Sequence, residues 1–195
     1  MALKESIKQF WAFLKKDTWQ SWLVSLILII VIIKFVFFPL LSLITSSSLP
    51  LVVIESCSMY HSSDFNEWWQ GNKEWYESKD ITISNFEEFS FKNGLNKGDI
   101  IFVIGKEKYK QGEIIIFNSE TKYPIIHRII STSNLSTKGD NNPLQLDLEK
   151  DIQEELVIGK AVGKIPYLGW VKLIFFNFAK SPDERGFCSQ DKRDN

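Results

Sequence analysis

The chain has few of the residues that hold metals or cross-link small domains. Among its 195 residues are two cysteines, Cys57 and Cys188, and two histidines, His61 and His127. Two cysteines are too few for a disulfide framework and too widely spaced for a zinc site, and no HExxH or CxxC spacing occurs. A single disulfide between the two cysteines is compatible with the sequence, although little in the sequence supports it. We expect chemistry that uses neither a metal nor a cofactor.

The chain also lacks an excess of charge of either sign. It has 23 Lys and Arg against 24 Asp and Glu, for a formal net charge of −1 at pH 7. A protein that binds nucleic acid is expected to carry a basic field for the phosphates, so we expect no nucleic-acid partner. The length allows one modest domain together with an anchor.

One long apolar run is present, at residues 22–44, and 18 of its 23 residues are Leu, Ile, Val or Phe. A helix rising about 1.5 Å per residue would cross a hydrocarbon core of about 30 Å over this length. Lys34 would cost about 2.5–3.5 kcal/mol near the middle, which the apolar residues outweigh. The run therefore predicts a transmembrane anchor, and we expect Pro39 to kink or end its helix.

The lysines flanking this run predict its orientation. Residues 45–72 contain no Lys or Arg, whereas four lysines precede the run, which are Lys4, Lys8, Lys15 and Lys16. The positive-inside bias then predicts a single-pass protein of the cell membrane with a cytoplasmic N-terminus. Residues 1–21 have apolar residues at helical spacing, which indicates an interfacial amphipathic helix continuous with the span. A cleaved signal peptide, with Ser46–Ser48 near its end, stays open as an alternative.

Beyond Pro50 the apolar stretches are short and β-branched, and Gly, Asn, Asp and Pro separate them. They are Leu51–Ile54, Ile100–Ile104, Glu113–Phe117, Ile125–Ile130 and Leu156–Val162. No long amphipathic helix pattern interrupts them, so we predict a mostly β extracytoplasmic domain over residues 45–180, built on a closed or folded-over antiparallel sheet.

Two segments depart from this pattern. Residues 61–93 are acidic and aromatic and indicate an inserted subdomain, whose aromatic residues we expect to pack on the sheet rather than bind a ligand. Ile165–Phe178 is too short to span a membrane and is expected to pack on the domain or touch the membrane surface. Residues 181–195 form a polar tail.

Three polar residues could carry chemistry together. A serine hydroxyl becomes a nucleophile when a base takes its proton and a third group orients that base. Ser58 lies in an S-x-S-M sequence, His127 within IIHRII, and Asp140 within TKGDNN. Each has an ordinary structural interpretation alone: a strand end, a buried core histidine and a turn.

In order and spacing, these segments resemble the type I signal peptidase family. The resemblance covers most of residues 20–170 and rests on Pro50–Met59, Lys97–Phe102, Gly112–Phe117, Ile126–Ile130, Thr137–Asn142 and Gly159–Trp170. His127 stands where bacterial members have lysine, as in the histidine-type archaeal and endoplasmic-reticulum members. The resemblance implies the all-β fold shared with LexA-type repressors. The activity it implies is that of a serine endopeptidase removing signal peptides from secretory preproteins, with the lipid bilayer and accessory subunits as further partners.

The resemblance also implies roles for individual residues. Ser58 would be the nucleophile and His127 the general base. Ser56 would help the Ser58 backbone N–H to form the oxyanion hole, and Asp140 or Asp147 would orient His127. The sequence departs from the family in two places: Asp147 follows Asp140 by seven residues instead of six, and Cys57 replaces a common glycine.

Other interpretations of the same residues stay open. Cys57 as the nucleophile is a minor alternative. A LexA-like self-cleaving protein would share the fold, but a DNA-binding module and a lysine base would be expected with it. A catalytically silent anchored β-domain, in which Ser58 and His127 are structural, would act as a partner-binding subunit.

Overall fold

The computed structural model describes residues 2–105, 108–121, 123–176, 178, 181 and 185–189. The chain forms two compact units, Met1–Ile44 and Thr45–Asn195. Of the predicted polar tail at 181–195, residue 181 and residues 185–189 are described, and the rest lies outside the described residues.

The N-terminal unit contains the apolar helix that the sequence predicts. Helices α1 (Ala2–Leu14) and α2 (Trp19–Ile32) are followed by a π-helical turn at Ile33–Phe37 and by helix α3 (Phe38–Thr45). The stretch Trp19–Thr45 has 27 residues and a mean hydropathy of 2.9, which makes it long and apolar enough to cross a membrane.

Two details of this unit bear on the expectations from the sequence. Helix α1 is not continuous with the span, because the side chain of Thr18 caps a new helix by accepting from the Ser21 N–H at 3.4 Å. Pro39 was expected to kink or end the helix, and it does not end it, because helix α3 continues through it. The Phe38 N–H donates to the Ile33 carbonyl in the π turn just before the proline. This wider turn accommodates a ring that would otherwise clash with the carbonyl four residues earlier.

The second unit is built on one antiparallel sheet of six strands in the order β1-β2-β6-β3-β4-β5. The strands are β1 (Leu51–Val53), β2 (Ile100–Ile104), β3 (Ile114–Phe117), β4 (Ile125–Ser131), β5 (Ser136–Lys138) and β6 (Val157–Ile165). Irregular register at Phe102/Val103, Ile116/Phe117 and Ile129/Ser131 bends the sheet. The predicted β fold with one apolar N-terminal helix is confirmed. Strand β5 was not predicted, because the sequence around its residues is typical of a turn.

The segment 61–93 contains a helix that the sequence analysis missed. Helix α4 (Phe65–Glu77) begins after Asp64, whose side chain accepts from the N–H groups of Asn66 and Glu67, and helix α5 (Ile83–Glu87) follows. The expectation that no long amphipathic helix interrupts the strands is therefore wrong. The buried aromatic residues of the segment 61–93 pack in one cluster with Ile130 of β4, as expected of a subdomain that packs on the sheet. They are Trp68, Trp69, Tyr76 and Phe86.

Strand β6 is followed by a short helix, α6 (Trp170–Phe176). Leu173 is buried, while Val171, Ile174 and Phe175 are exposed. The helix begins against the loop before β2, where the Trp170 indole N–H donates to the Lys97 carbonyl at 3.1 Å. The segment Ile165–Phe178 thus packs one side on the domain and leaves an apolar side uncovered.

Candidate active site

Ser58 lies in a tight turn just after strand β1. The Tyr60 N–H donates to the Cys57 carbonyl at 3.1 Å, which closes the turn and presents a half-buried Ser58. The Ser58 hydroxyl oxygen lies 3.2 Å from that of the exposed Ser56. The two hydroxyls singled out in the sequence therefore form one hydrogen-bonded pair at the surface.

The segment after strand β5 holds this turn in place. The Asn141 N–H donates to the Ser58 carbonyl at 2.8 Å, and the Asn141 side-chain amide donates to the Cys57 carbonyl at 3.1 Å. The Leu95 N–H donates to the Met59 carbonyl at 2.7 Å. Three consecutive carbonyls of the turn are thus fixed by other parts of the domain, which restricts the position of Ser58.

His127 is presented by the central part of strand β4, where it pairs with Ile115 of β3. The residue is 4% exposed, and its Nδ1 is hydrogen-bonded to a carboxylate oxygen of Glu149. Glu149 is fully buried and ends a 3₁₀ turn at Asp147–Glu149. Its other carboxylate oxygen accepts from the Leu146 N–H at 2.8 Å, so the carboxylate that meets His127 is itself fixed.

Gly139 brings Ser58 and His127 together. A Cβ placed on Gly139 would lie 2.7 Å from the His127 Nε2 and 2.9 Å from the Ser58 carbonyl oxygen. Both groups therefore border the space beside one glycine Cα, and a larger residue would push them apart. The hydrogen bond of the Ser58 hydroxyl goes to Ser56 rather than to His127.

Asp140 does not reach His127, because Arg128 holds it on the opposite face of strand β4. The Arg128 guanidinium donates to both Asp140 oxygens, at 2.9 Å from Nε and 2.7 Å from Nη2. The Nε2 of His61 lies 3.1 Å from Asp140, and the Tyr76 hydroxyl donates to it at 3.2 Å. Burial acts to raise the pKa of Asp140, but the Arg128 charge and the hydrogen bonds outweigh it and hold this pKa well below its usual value.

The other donors of Arg128 and the ring of His61 are also bound inside the domain. The Arg128 Nη1 donates to the carbonyls of Ser90 and Gly112 at 2.7 and 2.8 Å. The His61 ring stacks on Trp68 with 3.7 Å between centroids. Burial lowers the pKa of His61 despite the neighbouring Asp140. This second cluster is an internal ion pair that ties the segment 61–93 to the sheet.

Asp147 also lies away from His127. Its side chain is 98% exposed and accepts from the Lys150 ammonium at 2.7 Å, which lowers the pKa of Asp147. The structure thus brings neither predicted aspartate to the histidine, and Glu149 occupies the position that they were expected to fill. Asp147 and Glu149 lie in one 3₁₀ turn, which points the first outward and the second inward.

Cys57 is bonded to Cys188 in a disulfide with 5.6 Å between the Cα atoms. The sequence left this bridge open, and the structure forms it. Because its sulfur is bonded, Cys57 offers no thiolate in this structure. In the part of the chain that the structure describes, no three His, Cys, Asp or Glu side chains meet in a group that could hold a metal ion.

Comparison with other proteins identifies relatives of the chain. No protein-family model matches the chain. The signal peptidase complex catalytic subunit of Sclerotinia sclerotiorum is 33% identical over 100 residues, which cover 44% of this chain and 58% of the relative. The corresponding subunit of Homo sapiens is 29% identical over 106 residues, which cover 47% of this chain and 55% of the relative. That of Verticillium alfalfae is 28% identical over 100 residues, which cover 44% of this chain and 58% of the relative. The chain spans little more than half the length of these relatives. Its homologues are catalytic subunits of signal peptidase complexes, as the resemblance in the sequence predicts.

Proposed function

We propose that the protein is a membrane-anchored serine endopeptidase that removes signal peptides from secretory preproteins. One observation carries the proposal. The Ser58 turn and the Nε2 of His127 meet beside Gly139, while a buried carboxylate from Glu149 holds the other ring nitrogen. A serine, a histidine and a carboxylate in this order are the parts needed for acyl transfer.

Glu149 is the acid that we assign to the histidine. A carboxylate on Nδ1 places the ring proton there and leaves Nε2 free to accept, which is the tautomer that a general base needs. His127 would take the Ser58 hydroxyl proton as the oxygen attacks the scissile carbonyl, and the imidazolium would be stabilised by Glu149. It would then return the proton to the leaving amine. The catalytic hydrogen bond from Ser58 to His127 is expected to form when substrate displaces the contact with Ser56.

The developing oxyanion needs donors close to Ser58. The backbone N–H of Ser58 and the hydroxyl of Ser56 are the proposed donors, and the 3.2 Å between the two hydroxyl oxygens supports this assignment. Strand β1 lies at an edge of the sheet and leads into the Ser58 turn. An extended substrate could therefore pair its backbone beside the nucleophile.

The helix Trp19–Thr45 would anchor the enzyme in the cell membrane, with the N-terminus in the cytoplasm and the β domain outside. Enzyme and signal peptide would then share one membrane, which raises their effective concentration. The lipid bilayer is one partner. Because the relatives are named as subunits of a complex, accessory subunits are another.

Cleavage of a radiolabelled secretory preprotein by the detergent-solubilised protein tests this proposal. We expect processing by the wild type and its loss in Ser58→Ala and His127→Ala, with the variants still folded by circular dichroism. Asp147→Asn is the control, since that carboxylate is exposed and should leave processing unchanged. Full processing by Ser58→Ala would discard the nucleophile. Inactivity of the wild type would favour a silent or partner-dependent subunit.

A further inference from the structure

We propose that the Cys57–Cys188 disulfide is a positioning element of the active site, through which reduction switches the site from an ordered to a loosened state. The catalytic consequence rests on the proposed function, whereas the structural consequence does not. The bridge joins the residue directly before Ser58 to the C-terminal segment, across 131 positions of sequence. No other residue of the Ser58 turn is covalently cross-linked.

The backbone carbonyls of the Ser58 turn form hydrogen bonds with other parts of the domain. The carbonyls of Cys57, Ser58 and Met59 all accept from other parts of the chain, and two of these bonds come from Asn141. These contacts fix the carbonyl side of the turn. The disulfide adds a covalent restraint through the side chain of Cys57, the residue directly before Ser58.

The far end of the bridge is itself anchored. The ring of Phe187, next to Cys188, packs on Trp170 with 4.5 Å between centroids and lies 6.3 Å from Tyr167. Trp170 donates to the Lys97 carbonyl, in the loop that leads into strand β2. Although Phe187 is 63% exposed, its ring contact with Trp170 places Cys188 beside helix α6, so the disulfide ties the Ser58 turn to that part of the domain.

Both cysteines are half-buried, so a small dithiol can reach the bridge. One thiolate of the dithiol attacks a bridge sulfur and expels the other protein sulfur as a thiolate. The second dithiol sulfur then attacks the mixed disulfide and releases the remaining cysteine. Two electrons pass from the dithiol, which becomes a disulfide, and two protons complete the protein thiols. We expect the released turn to sample positions in which Ser58 does not face His127.

A bridge that closes so long a loop also stabilises the folded state, so the experiment must separate stability from positioning. The full-length detergent-solubilised protein is compared before and after dithiothreitol, well below the melting temperature of the reduced form. Hydrogen–deuterium exchange is followed at residues 55–60 and, as an internal reference, at strand β3. Preprotein cleavage gives kcat and KM. Cys188→Ala removes the bridge without changing any residue of the Ser58 turn, and Ser189→Ala is its matched control on the neighbouring exposed residue.

We expect reduction to speed amide exchange at residues 55–60 at least tenfold and leave β3 unchanged. It should lower kcat at least tenfold with KM within twofold, and re-oxidation should restore both properties. Cys188→Ala should have the amide exchange and kcat of the reduced wild type, and dithiothreitol should change neither. Ser189→Ala should respond to dithiothreitol like the wild type. Unchanged exchange at residues 55–60 overturns the proposal whatever the activity, as does unchanged kcat in an active, reduced and folded enzyme. If the oxidised wild type cleaves nothing, the proposed activity of the isolated chain fails, and the exchange measurement alone decides the positioning role.

Discussion

Two histidine–carboxylate pairs lie on opposite faces of strand β4 and differ in what else the carboxylate binds. His127 pairs with Glu149 on one face, and His61 pairs with Asp140 on the other. Asp140 is already paired with the Arg128 guanidinium, whereas Glu149 is hydrogen-bonded to the His127 Nδ1. A proton gained by His127 would therefore be balanced by its own carboxylate, while one gained by His61 would meet a carboxylate already bound to a cation.

The free edges of the two rings differ as well. The Nε2 of His127 borders the Ser58 turn beside Gly139. The Nδ1 of His61 is buried and has no hydrogen-bond partner among the residues that the structure describes, and its ring is stacked on Trp68. A histidine–carboxylate pair thus suits proton transfer in one place and structural support in the other. Alternation along β4, which sends His127 and Arg128 to opposite faces, produces the difference.

Replacing each histidine in turn tests this contrast with the largest expected effect. His127→Gln should lower kcat by about 10⁴-fold or more, because the base is lost, with little change in thermal unfolding. His61→Gln should instead lower the melting temperature and leave kcat within a few fold. Preprotein cleavage and calorimetry on the two variants check this. A folded His61→Gln protein without activity would reverse the assignment.

Replacing each carboxylate sharpens the same contrast. Asp140→Asn leaves the Arg128 guanidinium buried without its counter-ion, and breaking such a pair costs about 3–5 kcal/mol of folding free energy. Glu149→Gln should keep the fold and lower kcat by about 10²- to 10⁴-fold, because the amide no longer stabilises the His127 imidazolium. Chemical denaturation and kinetics separate the two effects. Equal losses of stability in both variants would remove the distinction.

Gly139 provides a smaller test of the approach between Ser58 and His127. Gly139→Ala places a methyl group 2.7 Å from the His127 Nε2, so we expect kcat to fall about tenfold to a hundredfold with a modest change in stability. Gly163→Ala is the matched control, since its added Cβ would lie 3.6 Å from the nearest atom, in ordinary contact. Equal kinetics for the two variants would show that the gap at Gly139 is unimportant for catalysis.

The smallest effect is expected in the acid stability of the Asp140 cluster. Because the pKa of Asp140 is held below its ordinary value in the folded protein, its carboxylate stabilises the fold above about pH 4. This contribution is lost as the pH falls from the ordinary value toward the lowered one, at up to about 1.4 kcal/mol per pH unit. Unfolding measured between pH 2 and pH 7 should show this slope in the wild type and a flatter one in Asp140→Asn. Identical slopes would contradict the role given to Arg128.

The sequence contained enough to predict the sheet and too little to predict which acid contacts His127. Five of the six strands coincide with short β-branched stretches, because residues that fit a pleated, half-buried surface are distinctive. Helix α4 has a signal in the sequence, since Asp64 precedes aromatic residues at helical spacing, but it lies among stretches typical of strands. Strand β5 is three residues long and made of Ser, Thr and Lys, so its pairing with β4 depends on tertiary structure.

Glu149 was missed for a different reason. The family resemblance directed attention to aspartates, and the stretch Asp147–Glu149 offers two acids whose exposure depends on one short 3₁₀ turn. The contacts of Asp140 differ from that expectation, because the sequence does not say which of two adjacent β4 side chains a buried carboxylate will meet. Asp140 contacts Arg128, because the planar guanidinium binds both carboxylate oxygens.

Covalent labelling of Ser58 by a serine-directed fluorophosphonate, located by mass spectrometry, tests the central claim most directly. The probe needs an activated hydroxyl but no preprotein or accessory subunit. We predict a single label on Ser58 in the wild type and in His61→Gln, and its loss in the folded His127→Gln protein. A label on another residue, or equal labelling of Ser58 with and without His127, would contradict the account.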